Sequence, residues 1–196
     1  MRHRGQEIEV KLAVGSAALA RRRLRAAGFR LRQRSSFESN TLFDTPEGAL
    51  RRRGCLLRLR TVGRRHWLTF KRPGAASKHF KVREEFETEI MDAGAARRVF
   101  AALGLEPVFR YEKFRASYAW RGGEAMLDET PIGTFIELEG SRGWIRRAAL
   151  VLLGAEPARF ITQNYARLYA DWCRRHRRPV RHMVFSSRRR GFALKT

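Results

Sequence analysis

The chain is poor in the residues that build cross-linked or metal-knit scaffolds. Its two cysteines, Cys55 and Cys173, are too few for a disulfide framework and show no zinc spacing, and its five histidines are scattered. Both cysteines read as packing residues. No apolar run approaches about 18 residues and no apolar h-region follows the basic N-terminus, so neither a membrane span nor secretion is expected. A reducing cytoplasm is the expected compartment. No segment repeats at a period of roughly 20 to 50 residues, and no internal stretch is rich in Pro, Gly or Ser, which speaks against repeat arrays and flexible linkers. Acid is the scarce charge: 19 Asp and Glu face 42 Lys and Arg, for a net charge of +23. The bases are 36 Arg and only six Lys. Nine of them, with no acid, follow Asp171, and +23 less those nine leaves about +14 on the body. That charge attracts phosphate-bearing partners without naming one. What is plentiful is core material, 43% hydrophobic residues with 13 Phe and 4 Trp in 196 residues, which excludes disorder and fits one domain.

Near the start, Glu7-Ile8-Glu9-Val10-Lys11 sets two carboxylates and an ammonium at alternate positions. In a strand, all three share one face, with same-face neighbours roughly 6.6 Å apart. Two acids and one base on a face suit a metal and an anion together. Exposed strand faces are often charged, however, so the motif gains weight only by recurrence.

The chain reads as strands interrupted by a few helices. After the first strand, Ser16 caps a helix over 17–27 that Gly28 ends, and 29–43 is a long strand closed by Asp44-Thr45-Pro46-Glu47-Gly48. Asp44 reads as the cap of that turn. Strands over 56–62 and 66–72 form a hairpin around Gly63-Arg64-Arg65, and 78–90 is another strand. Asp92 caps a helix ending near Gly104. Three more strands follow over 106–120, 124–129 and 134–139, with Arg121-Gly122-Gly123 as a tight turn, making eight. Helical patterns return over 144–153 and 159–175, and the four tryptophans read as core or interface residues.

Charge is in register on these strands. Arg58 and Arg60 share a face; so do Lys71 and Thr69; so do Arg83, Glu85 and Glu87. Lys113 and Arg115 lie opposite Phe114, Asp128 opposite Leu127, and Glu137 and Glu139 opposite Ile136 and Leu138. An ordinary sheet with one wet face explains the alternation, and surface ion pairs would account for Arg83, Glu85 and Glu87. Neither explains the sorting by sign, in which acid pairs close the first and last strands and bases fill the middle. In a closed barrel those two strands can be neighbours. Enclosed carboxylates repel and lose solvation, so they are tolerable only with divalent metal or paired bases, and the apolar faces then point outward under helices.

These pieces, in this order, resemble the CYTH-domain family, the group containing thiamine triphosphatase, class IV adenylate cyclases and bacterial inorganic triphosphatases. They are Glu7-x-Glu9-x-Lys11, Leu42-Phe43-Asp44-Thr45, Arg58-x-Arg60, Leu68-Thr69-Phe70-Lys71, Arg83-x-Glu85-x-Glu87, Lys113-x-Arg115, Leu127-Asp128 and Gly133-Thr134-Phe135-Ile136-Glu137-Leu138-Glu139. Asn164-Tyr165-Ala166-Arg167-Leu168 resembles the closing S-Y-x-x-L element with Asn for Ser. The likeness covers roughly residues 6 to 172.

The resemblance implies an α+β fold, an eight-stranded antiparallel β-barrel forming a triphosphate tunnel with helices packed outside. The domain would span 1–176 and leave 177–196 as a basic C-terminal tail. Glu7, Glu9, Asp128, Glu137 and Glu139 would hold Mg²⁺ or Mn²⁺, as hard cations prefer oxygen ligands. Lys11, Arg58, Arg60, Lys71, Arg83, Lys113 and Arg115 would bind a small-molecule triphosphate, the arginines as bidentate forks and the lysines as point charges. Lys11 would also act in catalysis, with Glu85 and Glu87 holding a second cation or orienting the attacking water. No covalent nucleophile is required. The activities implied are a metal-dependent triphosphohydrolase or, alternatively, a class IV adenylate cyclase forming cyclic AMP and pyrophosphate. A third reading, a non-enzymatic polyphosphate or nucleic-acid binder, fits the charge but not the acids. The tail, with Arg188-Arg189-Arg190, is expected to be mobile except where Met183, Val184 and Phe185 dock, and to attract polyphosphate or nucleic acid. Oligomeric state stays open.

Overall fold

The computed structural model describes residues 6–154 and 156–186. Eight strands, β1 (Gln6–Val14), β2 (Arg30–Asp44), β3 (Leu56–Val62), β4 (Arg65–Pro73), β5 (Lys81–Ile90), β6 (Glu106–Trp120), β7 (Gly123–Thr130) and β8 (Gly133–Glu139), close an antiparallel barrel. Its order is β1-β5-β4-β3-β2-β6-β7-β8, so β1 pairs with β8 and the long β2 with β6. The helices α1 (Ala17–Ala26), α2 (Ala49–Arg52), α3 (Ala93–Ala102), α4 (Arg142–Leu153) and α5 (Tyr165–Arg175) join the strands or follow them. Among the described residues no helix is long and apolar enough to cross a membrane.

Alternation sets the layers. Val10, Leu12, Leu127, Ile136 and Leu138 point outward and pack with Leu24, Trp144 and Ile145 of α1 and α4. Phe43 and Leu59 meet Phe100 of α3. Trp144 lies flat on Gly123, where an added Cβ would stand 2.3 Å from the ring, and its Nε1 donates to the Trp120 carbonyl at 2.6 Å. Only glycine fits there.

Asp44 caps its turn as expected, accepting from the backbone N–H groups of Thr45, Leu50 and Arg51 at 2.9, 2.7 and 2.9 Å. Those bonds start the short α2, which the sequence pattern does not reveal. Burial raises the Asp44 carboxyl, but the three N–H groups outweigh it and hold the carboxyl below its ordinary value. Its stabilisation is therefore complete above the unfolded-state value of about 4 and is lost as pH falls. Asp44→Ala leaves three part-buried backbone donors without their acceptor and should destabilise the fold by about 2 kcal/mol at neutral pH, read by urea denaturation.

The helix expected over 159–175 begins at Tyr165. Asn164 caps it by accepting from Arg167 N at 2.9 Å, while upstream Ile161 exchanges two backbone bonds with Lys11, each 2.9 Å. Residues 157–159 form a single 3₁₀ turn instead.

After α5 the chain returns to the barrel. Met183 N donates to the Arg110 carbonyl at 3.0 Å, Glu112 N donates to the Met183 carbonyl at 2.9 Å, and Phe185 N donates to the Glu112 carboxylate at 3.0 Å. Met183 and Phe185 are buried. The run Arg188-Arg189-Arg190 lies outside the described residues. A chain stopped after Arg178 was expected, on sequence grounds, to keep its tunnel chemistry; it loses two buried apolar side chains and should be about 3 kcal/mol less stable. A chain stopped after Ser186, which keeps both side chains, should melt above it. Equal melting of the two would show that the strap adds no stability.

Candidate active site

The inward face of every strand carries the charge. Register places Glu7 across from Arg83, Glu9 across from Lys81 and Glu139, and Lys11 across from Glu137. On the far side Lys71 faces Glu85, Arg58 faces Thr69, Glu38 faces Lys113, and Arg115 faces Asp128. The sequence-selected residues other than Arg83 thus share the barrel interior.

Two walls differ in sign. The acid wall carries Glu7, Glu9, Glu85, Glu137 and Glu139 with Lys11, Lys71 and Lys81 between them. Lys11 Nζ lies 3.1 Å from Glu9 and 3.2 Å from Glu137; Lys71 Nζ lies 2.6 Å from Glu7 and 2.9 Å from Glu85. Lys81 pairs with Glu9. Burial and the neighbouring Glu9 push the Glu7 carboxyl up to about 7 against the pull of Lys71. The five carboxylates and three ammonium groups also meet the basic wall, with Arg58 3.9 Å from Glu85 and Arg115 3.3 Å from Glu137. Among the described residues, no three carboxylate, histidine or cysteine side chains converge into one coordination sphere.

The basic wall is held from behind. Arg60 donates to Glu87 at 2.9 Å, and Thr69 Oγ1 donates to Glu87 at 2.8 Å. Arg58 reaches Thr69 at 3.2 Å and the Tyr111 hydroxyl at 3.4 Å. Burial, then the adjacent Arg58, pulls Arg60 below its ordinary value, a guanidinium pair that favours an anion. Asp128 is fully buried beneath the cavity. It accepts both arms of Arg115 at 2.6 Å, Lys113 at 3.1 Å and the Tyr165 hydroxyl at 2.6 Å. In the structure its partners are thus bases of the chain. Arg83 donates to the Gly54 carbonyl and lines a neighbouring cavity at the barrel mouth, outside the charged one.

Several interior residues were not singled out as site residues from the sequence, Tyr165 being named only within the closing element. Lys81 and Tyr111 each extend an alternation already read, two positions before Arg83 and Lys113, while Glu38 lies across from Lys113 on β2, for which no charged face was read. Tyr165 enters from α5, with Lys11 and Lys113 over its ring at 5.3 and 5.4 Å, and no strand periodicity could place it. The tunnel holds a cavity of about 280 Å³ that Asn164, Tyr165 and Ala166 help to line.

Fold and lining together define a closed antiparallel tunnel whose interior is charged and divided by sign. The chain belongs to the CYTH domain family, whose profile matches residues 5–144. Among solved structures, an adenylate cyclase candidate from Vibrio parahaemolyticus superposes with TM-score 0.74 at 18% identity, covering 85% of this chain and 98% of that one. PH1012 protein from Pyrococcus horikoshii OT3 gives 0.69 at 22% identity, covering 81% and 96%. An adenylyl cyclase candidate from Hippeastrum, described as having a dominant triphosphatase activity, gives 0.58 at 21% identity, covering 88% and 97%. At these identities the likeness is one of fold. No curated protein matches the chain.

Proposed function

We propose that the protein is a metal-dependent phosphohydrolase that binds a short triphosphate along the basic wall of its tunnel. One observation carries the reading. The side-chain Nε groups of Arg58 and Arg60 and the amide of Asn40 are buried on the inward face and have no hydrogen-bond partner among the described residues. A buried unpaired donor costs about 1–3 kcal/mol, more when charged, and phosphate oxygens in the cavity that Arg58 and Arg60 line would satisfy the two guanidinium Nε groups. Lys113 and Arg115 continue the same wall, pre-oriented by Asp128 and, through it, by Tyr165.

The donor set on the acid wall fits a hard divalent cation. Its oxygens are of the right chemistry, and Glu7, raised to about 7 by burial and then by Glu9, shares the wall with Glu9, Glu137 and Glu139. Glu7, Glu9, Glu137 and Glu139 would hold Mg²⁺ or Mn²⁺, which supplies charge neutralisation at the transferring phosphoryl group. Arg58 and Arg60 fix the chain of phosphates in line, Lys11 stands where the two walls meet, and Glu85 accepts a hydrogen bond from the attacking water. Glu87 keeps Arg60 in place.

A cavity of about 280 Å³ lies at the small end for organic ligands, which favours inorganic triphosphate. A second reading, adenylate cyclase or hydrolase of an organic triphosphate, is favoured by the adjoining cavity of about 730 Å³ at the mouth, walled by Phe43, Leu57, Phe109 and Val180. The test offers inorganic triphosphate, thiamine triphosphate and ATP with Mg²⁺ or Mn²⁺, and measures phosphate, pyrophosphate and cyclic AMP separately. Phosphate release, fastest from inorganic triphosphate and absent in chelator, is expected. Cyclic AMP with pyrophosphate would establish the second reading, and no product from any substrate would refute both.

A further inference from the structure

The three lysines of the acid wall are not equally tied. Lys11 and Lys71 each bridge two carboxylates. Among the described residues Lys81 has one ion-pair partner, Glu9, and its side chain is 15% exposed where those of Lys11 and Glu9 are 3%. It stands at the first position of β5, directly across from Glu9. Glu9 therefore carries two ammonium groups in the space a divalent cation needs.

A bare cation bound at Glu9 would stand beside the ammonium groups of both Lys11 and Lys81. An arginine fork locked on a carboxylate, as Arg115 is on Asp128, exchanges partners poorly. A lysine is a point charge on a flexible four-carbon stem and can trade one anion for another. An incoming triphosphate supplies the other anion.

We propose that Lys81 is an internal counter-ion of Glu9 that holds the acid wall against free divalent cation and releases it when a triphosphate enters, so that cation and triphosphate bind the tunnel cooperatively. The inference rests on the triphosphate reading above and adds to it an order of assembly and a residue that enforces it. Coupling of this kind is reciprocal: each ligand tightens the other by the same factor.

The experiment is a Mn²⁺ titration of the full chain followed by electron paramagnetic resonance, with and without the non-hydrolysable imidotriphosphate, corrected for the Mn²⁺ complex that the anion forms in buffer. In the parent, imidotriphosphate should tighten Mn²⁺ binding about tenfold. Lys81→Met keeps the aliphatic stem and removes the charge. It should bind Mn²⁺ about tenfold more tightly than the parent without the anion and lose most of the coupling. The parent's coupling stands as a test even if the variant fails to fold, and its absence overturns the inference. Measurable but equal Mn²⁺ affinity in parent and variant overturns this inference alone. No Mn²⁺ binding by either protein overturns it together with the metal-dependent reading.

Discussion

Glu137→Gln is expected to lower turnover of inorganic triphosphate by about a hundred- to a thousandfold while leaving the melting temperature nearly unchanged. The substitution keeps the shape of the side chain and removes one negative charge from a wall where carboxylates outnumber ammonium groups. Glu137 lies 3.2 Å from Lys11 and 3.3 Å from Arg115, so it stands between the acid wall and the anion grip. Losing that charge weakens cation binding and lets Lys11 and Arg115 turn toward other partners. It also relieves repulsion, so the fold should not suffer. Phosphate release and thermal melting are measured on the same preparation. Turnover within a factor of about three of the parent would place the metal elsewhere.

Asp128→Asn is expected to act the other way round, on stability first. Asp128 is the fully buried anchor of Arg115 and Lys113, and removing one partner of a buried pair costs about 3–5 kcal/mol. The lower end applies, because Arg115 keeps Glu137 at 3.3 Å and Lys113 keeps Glu38 at 3.6 Å. In a chain of this size that loss lowers the melting temperature by roughly 10 °C. The pH dependence carries a sign. Burial pushes the Asp128 carboxyl up, but Arg115 and Lys113 outweigh it and hold the carboxyl well below the ordinary range. A carboxyl depressed in the folded state stabilises fully above its unfolded value of about 4, and that contribution fades as pH falls below it. Parent and variant should therefore converge in acid. A constant gap down to pH 2 would show that the cost comes from packing and not from charge.

The inward face was legible in the sequence because strand alternation has a period of two whatever the neighbouring strand is. Glu7, Glu9 and Lys11 share a face in any sheet, and the sorting of acids to the ends of the strand series pointed to β1 beside β8. The pairing of β1 with β5 and of β2 with β6 was not legible, since both depend on contacts far apart in the chain. For the same reason the interior partners stayed hidden. Asp128 shows its face in the sequence, but not that Arg115, Lys113 and Tyr165 converge on it. The start of α5 was obscured by an amphipathic pattern that continues upstream of its cap, although Asn164 carried the signal. Asp44 was readable because a turn cap acts on backbone groups within seven residues of it.

The central claim is that a triphosphate lies along Arg58, Arg60, Lys113 and Arg115 with a divalent cation on the facing carboxylates. A crystal structure with Mn²⁺ and imidotriphosphate tests it most directly, using the anomalous signal of manganese to locate the cation. The account predicts a manganese peak within the tunnel against Glu9 and Glu137, with phosphate oxygens on the Nε groups of Arg58 and Arg60. Manganese or anion bound only on the outer surface, with those two Nε groups still unpartnered, would contradict it.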